Sequence, residues 1–349
     1  MRRTIWQLSL VIASMYLVGM SGLAGPAQTH ASNPRGSGPV AHIVGAGSTF
    51  DAPFFQRAFA AYVAQNSVAI TYRAVGSGAG IQQFSKGLVD FGASDVPMND
   101  TELQAAQAVV GSVVQVPVAL GGVAMAYNLP GLAGPLQLDG PTLAQLFMGK
   151  ITSWNDAAIK RLNPSLALPD LAVTPVHRSD SSGTTYITTD YLSTVSSPWQ
   201  TGIGTAKTVA WPSGVGGNGN AGVAAAIQQR PGAIGYIELD YALTNHITYA
   251  KIKNRFGYFV LPTVASVRTA AAQRPYISAT DFSIVNVPGV ASYPITGFSW
   301  MLLPEHPKAN SAALVQLVRW LAMDAQKLAT IPLPYDIQEQ ATITLGSVQ

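Results

Sequence analysis

The sequence predicts an α/β fold in two lobes, on three observations. Apolar runs of strand length alternate with helix-length segments, the pattern that lays helices on a mostly parallel sheet. The pattern runs through once and begins again after residue 120, and 349 residues leave room for two domains of roughly 150 residues each. A strand-like stretch and two helices at the C-terminal end supply a tail able to complete the first sheet.

In order, Arg2 and Arg3 precede an apolar run from Ile5 to Met20 and small or helix-breaking residues from Ser21 to Ala31, the layout of a secretory signal peptide. Cleavage is expected after Ala27 or Ala31, which assigns residues 1–31 to the signal and makes the protein exported. The run of about 16 residues, with Gln7 and Ser9 inside it, falls short of the ~20 that span a bilayer. Residues 32–40 form a polar lead-in. HIVGAG (42–47) and VAITYRA (68–74) read as strands, Pro53 to Gln65 as a helix opened by proline, Gly80 to Lys86 as a short helix, Val89 to Ala93 as a strand, Leu103 to Ala108 as a helix and Val113 to Ala119 as a strand. The second run opens after Gly121-Gly122 with VAMAYN (123–128). It continues through a helix from Pro141 to Met148, the strand VTPVHR (173–178), a helix from Thr184 to Leu192, the segment Gly222 to Gln229 and the strand AIGYIEL (233–239). Ala291 to Leu303 is strand-like, Ala312 to Lys327 an amphipathic helix, and a last helix follows Pro334. The expected lobes are 32–120 with 292–349, and 121–291, with a cleft between them where ligands favour binding.

Composition removes several function classes. Charged residues make up 11%, against a usual share of about 25%, and the net charge of +3 falls to +1 once Arg2 and Arg3 leave with the signal. The 20 basic residues form no run or stripe, so nucleic acid is not an expected partner. The absence of cysteine excludes disulfides, thiolate metal sites, cysteine nucleophiles and a lipid-attached cysteine. The five histidines lack the spacing of metal ligands, and His177, beside Arg178, reads as a packing residue at a strand end. There is no P-loop, since Gly214-Val-Gly-Gly-Asn-Gly-Asn lacks its lysine, and no Gly-x-Ser-x-Gly elbow. No cofactor, no metal and no enzymatic activity are expected.

Three turns share one chemistry: Gly45-Ala-Gly-Ser-Thr49-Phe50, Gly76-Ser77-Gly-Ala-Gly80 and Arg178-Ser-Asp180-Ser-Ser182-Gly183-Thr184. Each passes from a strand into a helix and presents backbone N–H groups with a hydroxyl at the positive end of the helix dipole, where anions bind. Any one of them, taken singly, is also an ordinary N-cap. Three in one chain, one carrying an arginine, point to an oxyanion.

These stretches resemble those of a known family, the periplasmic phosphate-binding proteins of bacterial ABC transporters. The resemblance runs through GAGSTFDAPFF, VGSGAG, VDFGASDVPM, LGGVAMAYNLPG, LFMGKITSWND, RSDSSGT, WPSGVGGNGN and PGAIGYIE, and is weakest over residues 252–290. After Ser77 the chain reads Gly-Ala-Gly where many relatives have Ser-Gly-Gly. The resemblance implies a periplasmic-binding-protein fold of type II character, with two α/β lobes on a two-stranded hinge. It implies a monomeric periplasmic receptor, without a lipid anchor, that carries inorganic phosphate to the membrane permease and ATPase subunits of an ABC transporter and accepts arsenate as a mimic. It places Thr49, Phe50 (through its backbone N–H), Ser77, Asp95, Arg178, Ser182, Gly183 and Thr184 on the anion, with Asp180 bracing Arg178.

The residue types agree with that assignment. Arg178 offers a planar fork of donors, and hydroxyls and N–H groups supply the other directions. Asp95 is the informative member, because a carboxylate beside an anion repels it unless the ligand brings a proton to donate, as phosphate does and sulfate does not. The competing reading makes Asp95 a cap for the helix around Glu102 or a turn residue. A receptor for another oxyanion, an exported phosphohydrolase and an adhesin or scavenging factor that keeps the receptor fold are the rival functions.

Overall fold

The structure is a computed structural model and describes residues 40–307 and 310–348; the export-signal reading of residues 1–31 lies outside them. Chain order opens with three strand–helix pairs. These are β1 (Ala41–Gly47) and α1 (Ala52–Val63), β2 (Val68–Ala74) and α2 (Ser77–Ser85), and β3 (Phe91–Ser94) and α3 (Asp100–Val110). Then come β4 (Val113–Tyr127), β5 (Gln137–Leu138), α4 (Gly140–Phe147), α5 (Ala157–Leu162), β6 (Thr174–Arg178), α6 (Gly183–Val195), α7 (Ser197–Gly202), β7 (Val215–Gly217), α8 (Gly219–Gln228), β8 (Ala233–Glu238) and α9 (Leu239–Thr244). The chain closes with β9 (Lys251–Lys253), β10 (Phe259–Val260), α10 (Val264–Ala271), β11 (Thr296–Pro304), α11 (Ser311–Ala322), a 3₁₀ turn at Asp324–Leu328, and α12 (Tyr335–Leu345).

Eight strands form one sheet in the order β2-β1-β3-β11-β4-β8-β6-β7, and β10-β9-β5 form a small second one. The α/β class is as the sequence predicts, but the sheet is parallel only toward its two ends. β1 pairs in parallel with β2 and β3, and β6 with β7 and β8, whereas β11 runs antiparallel to β3 and β4, and β4 antiparallel to β8. The reason is connectivity: β4 leaves the first half of the sheet and β11 re-enters it from the other side.

β4 also corrects the expected break at Gly121-Gly122, since its fifteen residues are continuous and nearly all buried. Its first part pairs with β11 and its last part with β8, so a single strand belongs to both halves. The glycines mark close packing instead of a turn. A Cβ on Gly121 would lie 2.4 Å from the Phe50 ring, and one on Gly122 would lie 2.8 Å from Val267. The core divides accordingly. One cluster around Ile43, Phe55, Val116, Leu317 and Leu345 fills the first half, and another around Phe147, Trp154, Tyr191, Tyr236 and Ile295 fills the second.

Local rules explain most element ends. Asn99 and Glu102 form a reciprocal capping box on α3, so the cap there is Asn99 and not Asp95. Asp139 caps α4 by accepting from Thr142 N–H at 2.9 Å. The predicted helix 312–327 ends early, at Ala322. The Gln326 amide donates to the Leu321 carbonyl at 2.7 Å, an acceptor that a longer helix would satisfy with its own backbone, and to the Val118 carbonyl on β4 at 3.0 Å, which ties the end of the helix to the sheet. β11 begins at Thr296 and not Ala291, because the preceding residues turn back on the loop, with Asn286 N–H on the Pro294 carbonyl.

β1 ends at Gly47, with φ +149°, where a Cβ would sit 2.0 Å from the Ala93 carbonyl oxygen. The neighbouring backbone depends on this contact, since Ser48 N–H donates to that carbonyl and Val75 and Gly76 N–H both donate to Gly47 O. Gly47→Ala is expected to lower stability by on the order of 2–4 kcal/mol through combined strain and overpacking. Urea unfolding of both proteins measures it, and an unchanged midpoint would contradict the account.

Candidate functional site

The three turns singled out in the sequence meet at one place, where the loops after β1, β2, β3 and β6 face one another. Thr49, Phe50, Ser77, Asp95, Arg178, Ser182, Gly183 and Thr184 are all buried there, and Asp180 is half-buried beside them. Each arrives by its own local logic.

After β1, the Ser48 hydroxyl accepts from Phe50 N–H at 2.9 Å and Asp51 N–H at 3.3 Å, closing a tight turn before α1, while its proton goes to Asp95 Oδ1. Two tyrosine hydroxyls hold the carbonyls of the same turn, Tyr72 on Ser48 O at 2.7 Å and Tyr241 on Thr49 O at 2.8 Å. Phe50 N–H, expected to face a ligand, is thus already engaged by Ser48. Ser77 opens α2, and its hydroxyl accepts from Asp95 N–H at 3.3 Å.

On the opposite side, β6 ends at Arg178. The guanidinium gives Nε to Asp180 Oδ1 at 2.7 Å and Nη2 to Asp180 Oδ2, leaving Nη1 toward Thr184 Oγ1 at 3.3 Å. Asp180 also accepts from Gly219 N–H at 3.0 Å. Burial pushes the Asp180 carboxyl up, but the hydrogen bonds and charge of Arg178 outweigh it and hold the group below its ordinary value. Ser182 is an N-cap, as one reading of the motif held: its oxygen accepts from Thr185 N–H at 3.1 Å. That leaves its own proton free, together with the Gly183 and Thr184 N–H groups, which have no partner within the helix.

Asp95 lies where these parts converge and is 3% exposed. Oδ1 accepts from Ser48 and from Ser299 Oγ (3.1 Å), and Oδ2 from Thr184 Oγ1 (3.3 Å). A Cβ on Gly183 would be 2.5 Å from Asp95 Cβ, so only glycine lets the first residue of α6 come this near. Burial raises the Asp95 carboxyl from 3.8 to about 6, against the opposing pull of Ser48, Arg178, Ser299 and Thr184. The cap reading is therefore replaced by a buried acceptor facing donors.

Asn220 is a member the sequence reasoning missed. Fully buried, it donates to Thr49 Oγ1 at 2.9 Å and Thr184 Oγ1 at 3.3 Å and accepts from Glu238 N–H, tying the two sides together. Its place in WPSGVGGNGN, a stretch that carries the family resemblance but lacks the lysine of a phosphate loop, was the available signal. Ser48, Asp51 and Ser299 were also missed. Two ion pairs join the same two sides outside the site: Arg57 to Asp240 at 2.8 Å and Lys207 to Glu102 at 2.6 Å. His177 stacks on Trp211 with centroids 4.9 Å apart, the packing role expected of it.

Residues 32–325 match the family model described as the PBP superfamily domain. The chain is 41% identical over 307 residues to a phosphate-binding protein PstS of Xylella fastidiosa strain Temecula1, covering 85% of this chain and 83% of the relative. The chain belongs to the PstS family of this superfamily. A PstS of Pasteurella multocida is 39% identical over 304 residues, covering 84% and 87%. In fold, the chain resembles the crystal structure of a phosphate-binding protein from Stenotrophomonas maltophilia, with a TM-score of 0.64 at 20% identity over 86% of this chain and 93% of that one.

In this member of the PstS family, Asp95 titrates higher folded than unfolded, so its burial opposes folding fully above about pH 6 and not at all below about pH 4. Asp95→Asn is expected to raise the melting temperature of ligand-free protein by a few degrees at pH 7–8, with the gain fading as pH falls from 6 to 4. Thermal melts across that range measure it, and a gain that persisted at pH 4 would refute the charge-burial origin.

Proposed function

We propose that this protein binds inorganic phosphate with high affinity in the periplasm and delivers it to the permease and ATPase subunits of an ABC transporter, without enzymatic activity. The observation that carries this reading is Asp95: one buried carboxylate among groups that otherwise donate. Arg178 Nη1, the hydroxyls of Thr49, Ser77 and Ser182, and the Gly183 and Thr184 N–H groups at the start of α6 suit the oxygens of a tetrahedral anion, and Asp95 Oδ2 receives the proton that phosphate still carries. Membership of the PstS family supports the same ligand and the role in transport. Arsenate, with the same shape and proton, is the expected mimic, and the receptor acts as a monomer.

The lobes proposed are 32–120 with 292–349, and 121–291. Their support is the passage of β4 and β11 between the two halves of the sheet, which supplies a two-stranded hinge. No helix among the described residues is long and apolar enough to cross a membrane.

Arg178 brings the positive charge to the anion and Asp180 only orients it. Arg178→Ala is expected to weaken phosphate binding about hundredfold or more, and Asp180→Ala about tenfold. Calorimetric titration ranks them, and equal losses would sink the assignment.

Sulfate offers Asp95 no proton, so the wild type is expected to prefer phosphate by at least about 10³-fold. Asp95→Asn presents an amide N–H₂ in place of the obligatory acceptor, and its phosphate affinity is expected to fall about tenfold while the phosphate-to-sulfate ratio falls about hundredfold. Competition titration near pH 7 tests both. A wild type that binds sulfate as tightly as phosphate would overturn the ligand assignment.

A further inference from the structure

Asp51 stands directly behind the proposed ligand site, and its carboxyl makes none of the contacts proposed to the ligand. It immediately precedes α1, the position where an aspartate ordinarily caps a helix, yet it makes no side-chain cap and has helical φ and ψ (−78°, −16°). Its carboxyl turns inward instead and is 1% exposed. Oδ2 lies 2.5 Å from Ser299 Oγ, and Oδ1 has no hydrogen-bond partner among the described residues. The same Ser299 oxygen is 3.1 Å from Asp95 Oδ1. Ser299 reaches between them because the β4–β11 register shifts between Ser299 and Trp300, a bulge that re-aims the strand at this point.

Proton counting decides what this bridge can be. Ser299 has one hydroxyl proton and touches two carboxyls, so it cannot donate to both; one contact is satisfied only if the carboxyl there carries a proton and donates it. On the Asp95 side the acceptor role is fixed. Ser48 spends its oxygen on the Phe50 and Asp51 N–H groups and therefore gives its proton to Asp95 Oδ1. The proton belongs on Asp51, where the contact is shorter. We propose that Asp51 is a protonated acid that donates to Ser299, so that Ser299 donates to Asp95 and keeps Asp95 as the ionised acceptor with Oδ2 turned to the ligand.

This deepens the phosphate reading and rests on it. Asp51 acts through Ser299 and is a positioning residue. A neutral Asp51 adds no second negative charge next to an anion, and its donated proton prevents Ser299 from turning away from Asp95. The surroundings favour the neutral form. Desolvation comes first and the charge of Asp95 second in raising the Asp51 carboxyl, outweighing the hydrogen bonds of Ser299 and Ser48. The other groups facing it are Glu238 and Asp240 at the end of β8 and start of α9, Tyr241 on α9, Tyr72 on β2 and Arg57 on α1. Arg57 is already paired with Asp240, and Glu238 is itself pushed up by burial.

The test combines infrared difference spectroscopy at pH 7, Asp51→Asn against wild type, with the acid side of the phosphate-affinity profile. Wild type is expected to show the carbonyl stretch of a protonated carboxyl that Asp51→Asn lacks. Asp51→Ala is expected to move the acid limb up by about one pH unit, an approximately tenfold loss near pH 6, because Ser299 no longer holds Asp95 ionised. Asp51→Asn keeps an N–H donor toward Ser299 and is expected to return the limb to within about threefold of wild type. Absence of the band, or a tenfold gain in phosphate affinity in Asp51→Asn, would mean that Asp51 is ionised and would overturn the proposal. Should Asp51→Ala fail to fold, the band and the asparagine variant still decide. Should no variant bind phosphate while the band persists, the ligand reading fails and the protonation of Asp51 stands.

Discussion

A carboxylate buried to 3% exposure must be held by hydrogen-bond partners, and much of the proposed site serves to hold Asp95. Ser48, Ser299 and Thr184 each donate a hydrogen bond to it, the Ser77 hydroxyl oxygen accepts from its backbone N–H, and Arg178 sets the opposing charge. These residues come from the β1–α1 turn, strand β11, the N-terminus of α6, the N-terminus of α2 and the end of β6, so one residue draws on five separated segments. The raised titration of Asp95 measures what remains uncompensated. A ligand that brings a proton and several acceptor oxygens completes the arrangement, which links the ligand chemistry to the closeness of the two sides.

That closeness is set by packing as much as by charge. Gly183 lies against Asp95 where any Cβ would collide, Gly121 clears space for the Phe50 ring, and Asn220 bridges Thr49 and Thr184 from behind. The Arg57–Asp240 and Lys207–Glu102 pairs span the same two sides nearer to solvent, where such pairs contribute about 1 kcal/mol or less each. They fit the proposed opening and closing of the two lobes, because contacts of this size can break and re-form.

Ser299 joins the proposed hinge to the proposed site. A residue on β11, 248 positions after Asp51, places its hydroxyl between two carboxyls because a bulge redirects the strand. Movement of β11 relative to β4 therefore changes the environment of Asp95 directly. The proposed phosphate site and the proposed hinge share this residue.

The α/β class, most of the strands and helices, and the hydroxyl- and N–H-rich chemistry of three strand-to-helix turns were legible in the sequence, because periodicity, caps and glycine placement act over a few residues. It also carried the proposed ligands, since Thr49, Ser77, Arg178 and Thr184 lie in contiguous motifs that the family match over residues 32–325 spans. It split β4 into two strands on either side of Gly121-Gly122, because a glycine that clears space for a distant phenyl ring leaves a gap in the local strand pattern. Only the tertiary structure decided that Asp95 is a central acceptor and not a cap, that Asn220 links the two sides, and that Asp51, Ser299 and Asp95 share hydrogen bonds. Each of these depends on residues dozens to hundreds of positions apart that burial brings within about 3 Å, and no local pattern in a chain encodes which buried groups will have to share a proton.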